Sequence, residues 1–154
     1  MSESNHFYIL LIEDDPAQQR LIQEALHETS QDVRIVAART GTEALALMQR
    51  ERPNFILLDL SLPGLDGREV LQTLKRDRRL NYIPIVVFTA SEAEQDVVNA
   101  YSAGANCYIR KPIGFNALVQ CLADVLKFWT QTAVLPPHDY ADRPRRAAAP
   151  LWSK

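Results

Sequence analysis

Cysteine is scarce: Cys107 and Cys121 are the only two in 154 residues. They lie within apolar patterns and have no CxxC spacing, which argues against a disulfide framework or a zinc site and leaves two buried, reduced thiols as the expectation. Long apolar runs are also missing. No stretch approaches the about 20 residues that span a bilayer, and the start "MSESNHFY" has no basic region followed by an apolar one. A cytoplasmic protein without a membrane role is expected. Nor is there an excess of positive charge: 17 Lys and Arg stand against 19 Asp and Glu, for a formal net charge of -2. The basic residues are scattered rather than striped along one helix, which argues against nucleic-acid binding.

What is present suits one domain with a real core, since 47% of the residues are hydrophobic in a chain too short for two domains. Short apolar runs alternate with helical patterns. The runs "YILLI" (8–12), "VRIVA" (33–37), "FILLD" (55–59), "IVVFT" (85–89) and "CYI" (107–109) predict five strands. Several are apolar almost throughout, as parallel strands covered by helices on both faces must be. Between them, Asp15 with Pro16 and Gln18, Thr40 with Glu43, and Ser91 with Glu94 mark helix starts. Leu21, Ile22, Ala25 and Leu26 give the first helix an apolar face. Leu71 and Leu74 mark the third, Val97, Val98 and Tyr101 the fourth, and Leu118, Leu122, Val125, Leu126 and Trp129 the fifth. Pro53, Pro84 and Pro112 stand at edges between elements. The expected fold is α/β, a doubly wound (βα)5 parallel sheet in strand order 2-1-3-4-5, with flavodoxin-like topology.

In such a sheet, ligands bind beyond the carboxyl ends of the strands, where strand order reverses. Asp59 ends the third strand and Glu13 and Asp14 end the first, so three carboxylates should converge there. Crowded anions stay ionised only beside a cation, and an all-oxygen donor set suits Mg²⁺. Thr89 and Lys111, at the ends of the fourth and fifth strands, bring a hydroxyl and an ammonium to the same rim. The set is suited to phosphoryl transfer onto a carboxylate, with Asp59 as nucleophile. Taken singly, each residue has a plainer reading: Asp14 and Asp15 as helix caps, Thr89 as a strand residue, Tyr108 as a core aromatic, Lys111 as a solvated charge. Joint placement is what favours a site.

The segments "LLIEDDP", "ILLDLSLPGLDG", "VVFTA" and "GANCYIRKP" resemble, in order, the receiver domain of two-component response regulators, over about residues 7–130. The resemblance implies that Asp59 is phosphorylated by a sensor histidine kinase and that Glu13 and Asp14 hold Mg²⁺ with Asp59 and the backbone carbonyl of Ser61. It further implies that Thr89 and Tyr108 form a switch pair, and that Lys111 is the lysine of the site, followed by a cis bond to Pro112. Glu13 stands where many relatives have Asp, which favours a water-mediated contact. Asp15 and Arg110 add charges beside the site.

Residues 1–6 read as an N-terminal tail and 131–154 as an extension with no second apolar-periodic domain, so output must be a protein contact. The segment "FWTQTAVLPP" resembles the end of single-domain receivers that pair with bacterial phytochromes, which makes a bacteriophytochrome the expected kinase and a phosphotransfer protein a candidate further partner. Phe128, Trp129, Val134 and Leu135 either pack back on their own domain or, with 131–138 as an arm, build a homodimer across the fourth helix, fifth strand and fifth helix. From about Asp139 the Pro, Ala and Arg content predicts little order, and Arg143, Arg145 and Arg146 read as a solvated tail. The chain is expected to be no enzyme in the usual sense, but a phosphoacceptor with intrinsic autophosphorylation and autodephosphorylation chemistry. Competing readings are a flavodoxin-like small-molecule binder, an Asp-nucleophile phosphatase and a degenerate receiver used only for protein binding. "EDDP" in place of a Ser/Thr/Gly-rich loop, the absence of DxD at Asp59, and the complete acid, Thr and Lys set speak against them in turn.

Overall fold

The computed structural model describes residues 6–30, 32–61, 67–137 and 139–144. Residues 1–5, Pro63 and Gly64 in the segment after Asp59, and Arg145 and Arg146 lie outside them. Strands and helices alternate as β1 (Phe7–Ile12), α1 (Pro16–Thr29), β2 (Val33–Ala38), α2 (Gly41–Arg50), β3 (Phe55–Leu58), α3 (Gly67–Arg76), β4 (Ile85–Thr89), α4 (Glu94–Ser102), β5 (Cys107–Arg110) and α5 (Phe115–Lys127). The sheet runs β2-β1-β3-β4-β5 with every neighbouring pair parallel. The expected topology is the observed one, and strand bounds differ from expectation by a single residue at β1, β2, β3 and β5.

Unbroken apolar strands follow from two covered faces. Ile9, Leu11, Phe55, Leu57, Val86 and Phe88 meet Ile22, Leu26, Leu118 and Leu122 of α1 and α5. On the other side Leu10, Ile12, Ile56, Leu58, Ile85 and Val87 meet Met48, Val70, Leu71, Leu74 and Ala100 of α2, α3 and α4. Burial of each large aliphatic side chain stabilises by roughly 1.5–3 kcal/mol, so a polar residue is tolerated only where a strand ends.

Two helix starts are built as expected. Asp15 Oδ1 accepts from the Ala17 amide at 2.9 Å with Pro16 opening α1, and Thr40 Oγ1 accepts from the Glu43 amide at 3.1 Å. The Glu43 carboxylate closes back onto the Arg39 amide, one residue earlier than a capping box requires. The third start departs from expectation: Ala93 caps α4 without a side-chain bond, because the Ser91 hydroxyl goes to Asp96 at 2.5 Å. The face of α4 differs too. Val98 and Tyr101 are 56% and 50% exposed, and the small residues Ala100, Ala103 and Ala105 seat this part of the chain against the core instead.

Beyond α5 a π-helical turn, Phe128–Thr132, leads the chain back across the amino end of the sheet. Trp129 stacks on Phe55 with ring centroids 6.0 Å apart, and Phe128 meets Trp129 edge-on. Leu135 and Pro136 line one small cavity with Pro53, Asn54, Ile83 and Pro84, the residues that lead into β3 and β4. A 3-10 turn, Tyr140–Asp142, is then pinned by the Arg52 guanidinium, which grips both Asp142 carboxylate oxygens at 2.8 and 3.2 Å, and by an edge contact between Tyr140 and Tyr82. Within residues 139–144 these contacts reach the body of the domain.

Candidate functional site

Strand pairing delivers the acidic residues to one rim. The Glu13 amide continues the β1–β2 ladder by donating to the Ala38 carbonyl at 2.9 Å, and the Asp59 amide extends the β1–β3 pair by donating to the Ile12 carbonyl at 3.0 Å. Glu13 and Asp59 are consequently buried although they are carboxylic acids, at 2% and 7% exposure. Asp14 is half-buried beside them, and carboxylate oxygens of Glu13, Asp14 and Asp59 lie within 4.8 Å of one another. Ser61 is exposed, and its amide donates to Asp59 Oδ1 at 3.3 Å.

One ammonium group answers the cluster. The Lys111 amide bonds to the Thr89 carbonyl at 2.8 Å, which carries the lysine past the end of β5. Its Nζ donates to Glu13 Oε2 at 2.8 Å and stands 3.6 Å from Asp59 Oδ2. Burial pushes the Glu13 carboxyl up to about 7, against the Lys111 bond that pulls it down, and the neighbouring Asp59 adds to the rise. The bond between Lys111 and Pro112, expected to be cis, is trans, as are all peptide bonds among the described residues. Trans is the lower-energy isomer even before proline, and the Thr89 contact already directs Lys111 into the rim.

Thr89 and Tyr108, expected to form a switch pair, both meet Ser91. Thr89 is buried, and its Oγ1 accepts from the Ser91 amide at 3.4 Å. Half-buried Tyr108 donates its hydroxyl to the Ser91 carbonyl at 3.2 Å, and its amide donates to the Tyr101 hydroxyl. Arg110 reaches the Glu92 carbonyl rather than the acids. Gly67 opens α3 directly on the backbone of Asp59 and Leu60: a Cβ there would lie 2.5 Å from Leu60 Cα and 2.7 Å from the Asp59 carbonyl oxygen.

Sequence reasoning missed Tyr101, Gln19, Arg68 and Asp96. Gln19 Nε2 donates to the Glu13 carbonyl, and Arg68 and Asp96 pair across α3 and α4. No local spacing signals contacts of that kind. The expected arm residues divide: Trp129 and Leu135 are engaged within the chain, whereas Phe128 and Val134 are 48% and 96% exposed. The two cysteines are free and half-buried, and burial raises both thiols above the usual range.

Three carboxylates, all hard oxygen donors with no imidazole or thiolate among them, fit a divalent cation of the Mg²⁺ type. No helix among the described residues is long and apolar enough to cross a membrane.

A family model for the response regulator receiver domain matches residues 9–123. Response regulator Rcp1 of Synechocystis sp. is 41% identical over 135 residues, covering 83% of this chain and 92% of that one. Among solved structures, the phosphorylated cyanobacterial phytochrome response regulator RcpA is 42% identical with a TM-score of 0.80, over 86% of this chain and 99% of its own. The Mn²⁺-bound form of Rcp1 is 40% identical with a TM-score of 0.76, over 84% and 99%.

Proposed function

The chain belongs to the response regulator receiver domain family, and from that premise we propose that Asp59 accepts a phosphoryl group from the phosphohistidine of a sensor kinase, a phytochrome in the first instance, and that the result is read through protein contacts. The observation that carries the reading is the Lys111 ammonium set between Glu13 and Asp59 at the rim where β1, β3 and β5 end. A phytochrome partner is supported by the likeness to RcpA. The place of action is taken to be the cytoplasm, where free Cys107 and Cys121 stay reduced.

In the transfer, an Asp59 carboxylate oxygen attacks phosphorus; the new P–O bond forms as the P–N bond to the kinase histidine breaks, and the imidazole leaves with the electron pair. Lys111 Nζ, 3.6 Å from Asp59 Oδ2, is placed to meet the phosphoryl oxygens. The Thr89 hydroxyl can donate to the same group while still accepting from the Ser91 amide. Glu13, Asp14 and Asp59, with the Ser61 carbonyl, would hold Mg²⁺. When bound, the ion supplies charge neutralisation among the carboxylates and the phosphoryl oxygens. Water reaching the aspartyl phosphate reverses the modification, so slow self-dephosphorylation belongs to the same chemistry, as does self-phosphorylation by small acyl phosphates.

Output would follow through α4, β5 and α5. Val98, Tyr101 and Phe128 are exposed apolar groups on this side, and they support a homodimer in which residues 131–138 take part. A phosphotransfer protein is the other candidate reader of the modified surface. The test is phosphotransfer from candidate histidine kinases, a phytochrome kinase first, to the wild type and Asp59→Asn with and without Mg²⁺. Labelling of the wild type alone, dependent on Mg²⁺, is expected; equal labelling of both proteins removes Asp59 from its role.

A further inference from the structure

A serine two residues before a helix cap would ordinarily turn its hydroxyl to the first turn's amides, yet here it is committed mainly elsewhere. Ser91 Oγ donates to Asp96 Oδ2 at 2.5 Å and accepts only a long 3.3 Å bond from the Ala93 amide. The other Asp96 oxygen accepts from Arg68 Nη2 at 3.2 Å. Arg68 follows Gly67, whose amide donates to the Leu60 carbonyl at 3.1 Å, directly after the acceptor Asp59. At the other end, the Ser91 amide reaches Thr89 Oγ1 and the Ser91 carbonyl receives the Tyr108 hydroxyl. The contacts thus form a chain from the acceptor to its neighbouring hydroxyl: Asp59, the start of α3, Arg68, Asp96, Ser91 and Thr89, with Lys111 linking the Thr89 carbonyl back to Asp59.

We propose that Asp96 is a positioning residue for phosphorylation: through the Ser91 hydroxyl it fixes the β4–α4 turn so that the Thr89 hydroxyl is aimed at the acceptor and Tyr108 is held against the turn. The inference rests on the reading of Asp59 as phosphoacceptor and names what aligns its partner hydroxyl. The links are unequal. A hydrogen bond to a charged acceptor contributes more than a neutral one, whereas a surface ion pair contributes little; with Arg68 44% exposed and Asp96 26% exposed, the serine contact should dominate. Because a hydroxyl both accepts and donates, the Ser91 amide on Thr89 Oγ1 leaves its proton free to point at a phosphoryl oxygen. When Ser91 swings, that alignment is lost.

The test measures self-phosphorylation of the full chain by acetyl phosphate with Mg²⁺, together with the Thr89 methyl resonance. Asp96→Ala and Ser91→Ala should each slow phosphorylation about threefold to tenfold and shift the Thr89 methyl signal. Their double variant should be no slower than the worse single variant, because both remove one contact. Asp96→Glu should recover part of the rate, and Arg68→Ala should change it less than twofold. A merely structural role would lower thermal stability without this non-additivity or the resonance shift. Wild-type rate and an unmoved Thr89 signal in Asp96→Ala overturn the proposal, as do single effects that multiply in the double variant. Equal labelling of wild type and Asp59→Asn overturns instead the acceptor reading on which it rests.

Discussion

Replacing Gly67 by alanine sets two opposed effects against each other, and the geometry decides between them. In favour of the substitution, alanine is about 1 kcal/mol better than glycine within a helix, chiefly because it restricts the unfolded chain. Against it, the added methyl would stand 2.5 Å from Leu60 Cα, 2.7 Å from the Asp59 carbonyl oxygen and 2.8 Å from the Leu60 carbonyl oxygen. Carbon atoms pack at about 3.5–4.0 Å, so the overlap approaches or exceeds ~1 Å, and all three neighbours are backbone atoms that cannot rotate aside. Relief requires α3 to move away from the β3 end, straining the Gly67 amide bond to Leu60 and exposing part of Val70, Leu71 and Leu74. Overpacking of this kind costs about 1–3 kcal/mol and occasionally more. With three rigid contacts the cost should reach the top of that range and exceed the gain by roughly 1–2 kcal/mol, which lowers Tm by about 2–8 °C for a domain of this size. Urea unfolding followed by circular dichroism measures it, and phosphorylation should slow in the same variant because the displaced backbone carries Asp59. An unchanged or raised Tm would refute the reasoning, since the contacts would then have relaxed at no cost.

Three further outcomes are expected. Lys111→Met should remain folded but accept phosphoryl groups at least tenfold more slowly than wild type, read by labelling from acetyl phosphate, because the ammonium 3.6 Å from Asp59 is gone. Glu13, raised to about 7 from the ordinary 4.5, holds a proton in the fold that the unfolded chain has already released. In EDTA, stability should therefore fall as pH rises from about 4.5 to 7 and flatten above it, and Mg²⁺ affinity, measured by titration calorimetry, should weaken below pH 7, where the ion must displace that proton. Arg52→Ala removes the grip on Asp142, so limited proteolysis should cut residues 133–144 faster while Tm stays within about 2 °C, because an ion pair whose carboxylate is 60% exposed contributes little.

Strands and acids were legible because both depend on local order in the chain. An apolar run with a carboxylate at its end specifies a covered strand and an exposed rim at once, which is why Ile9 to Asp14 and Phe55 to Asp59 were readable without coordinates. The site's three carboxylates and Lys111 then came together through topology alone. Helix α4 was less legible. Ser91 with Glu94 matches a capping box in spacing, but Asp96, five residues on, outbids the amides for the hydroxyl since a charged acceptor makes the stronger bond. Val98 and Tyr101 have core-like chemistry and yet face outward, because alanines suffice to seat that helix. The end of the chain was hidden for another reason: its anchors, Arg52 with Asp142 and Tyr82 with Tyr140, are 90 and 58 residues apart in sequence, and no composition rule encodes such pairs.

The return of the chain over Pro53 and Pro84 gives the molecule two poles with separate duties. Strands of four to six residues hold the poles roughly 13–20 Å apart. A fluorophore or affinity handle attached at Val134, 96% exposed beside Leu135, therefore sits on the hemisphere opposite Asp59, where it should leave a visiting kinase unobstructed.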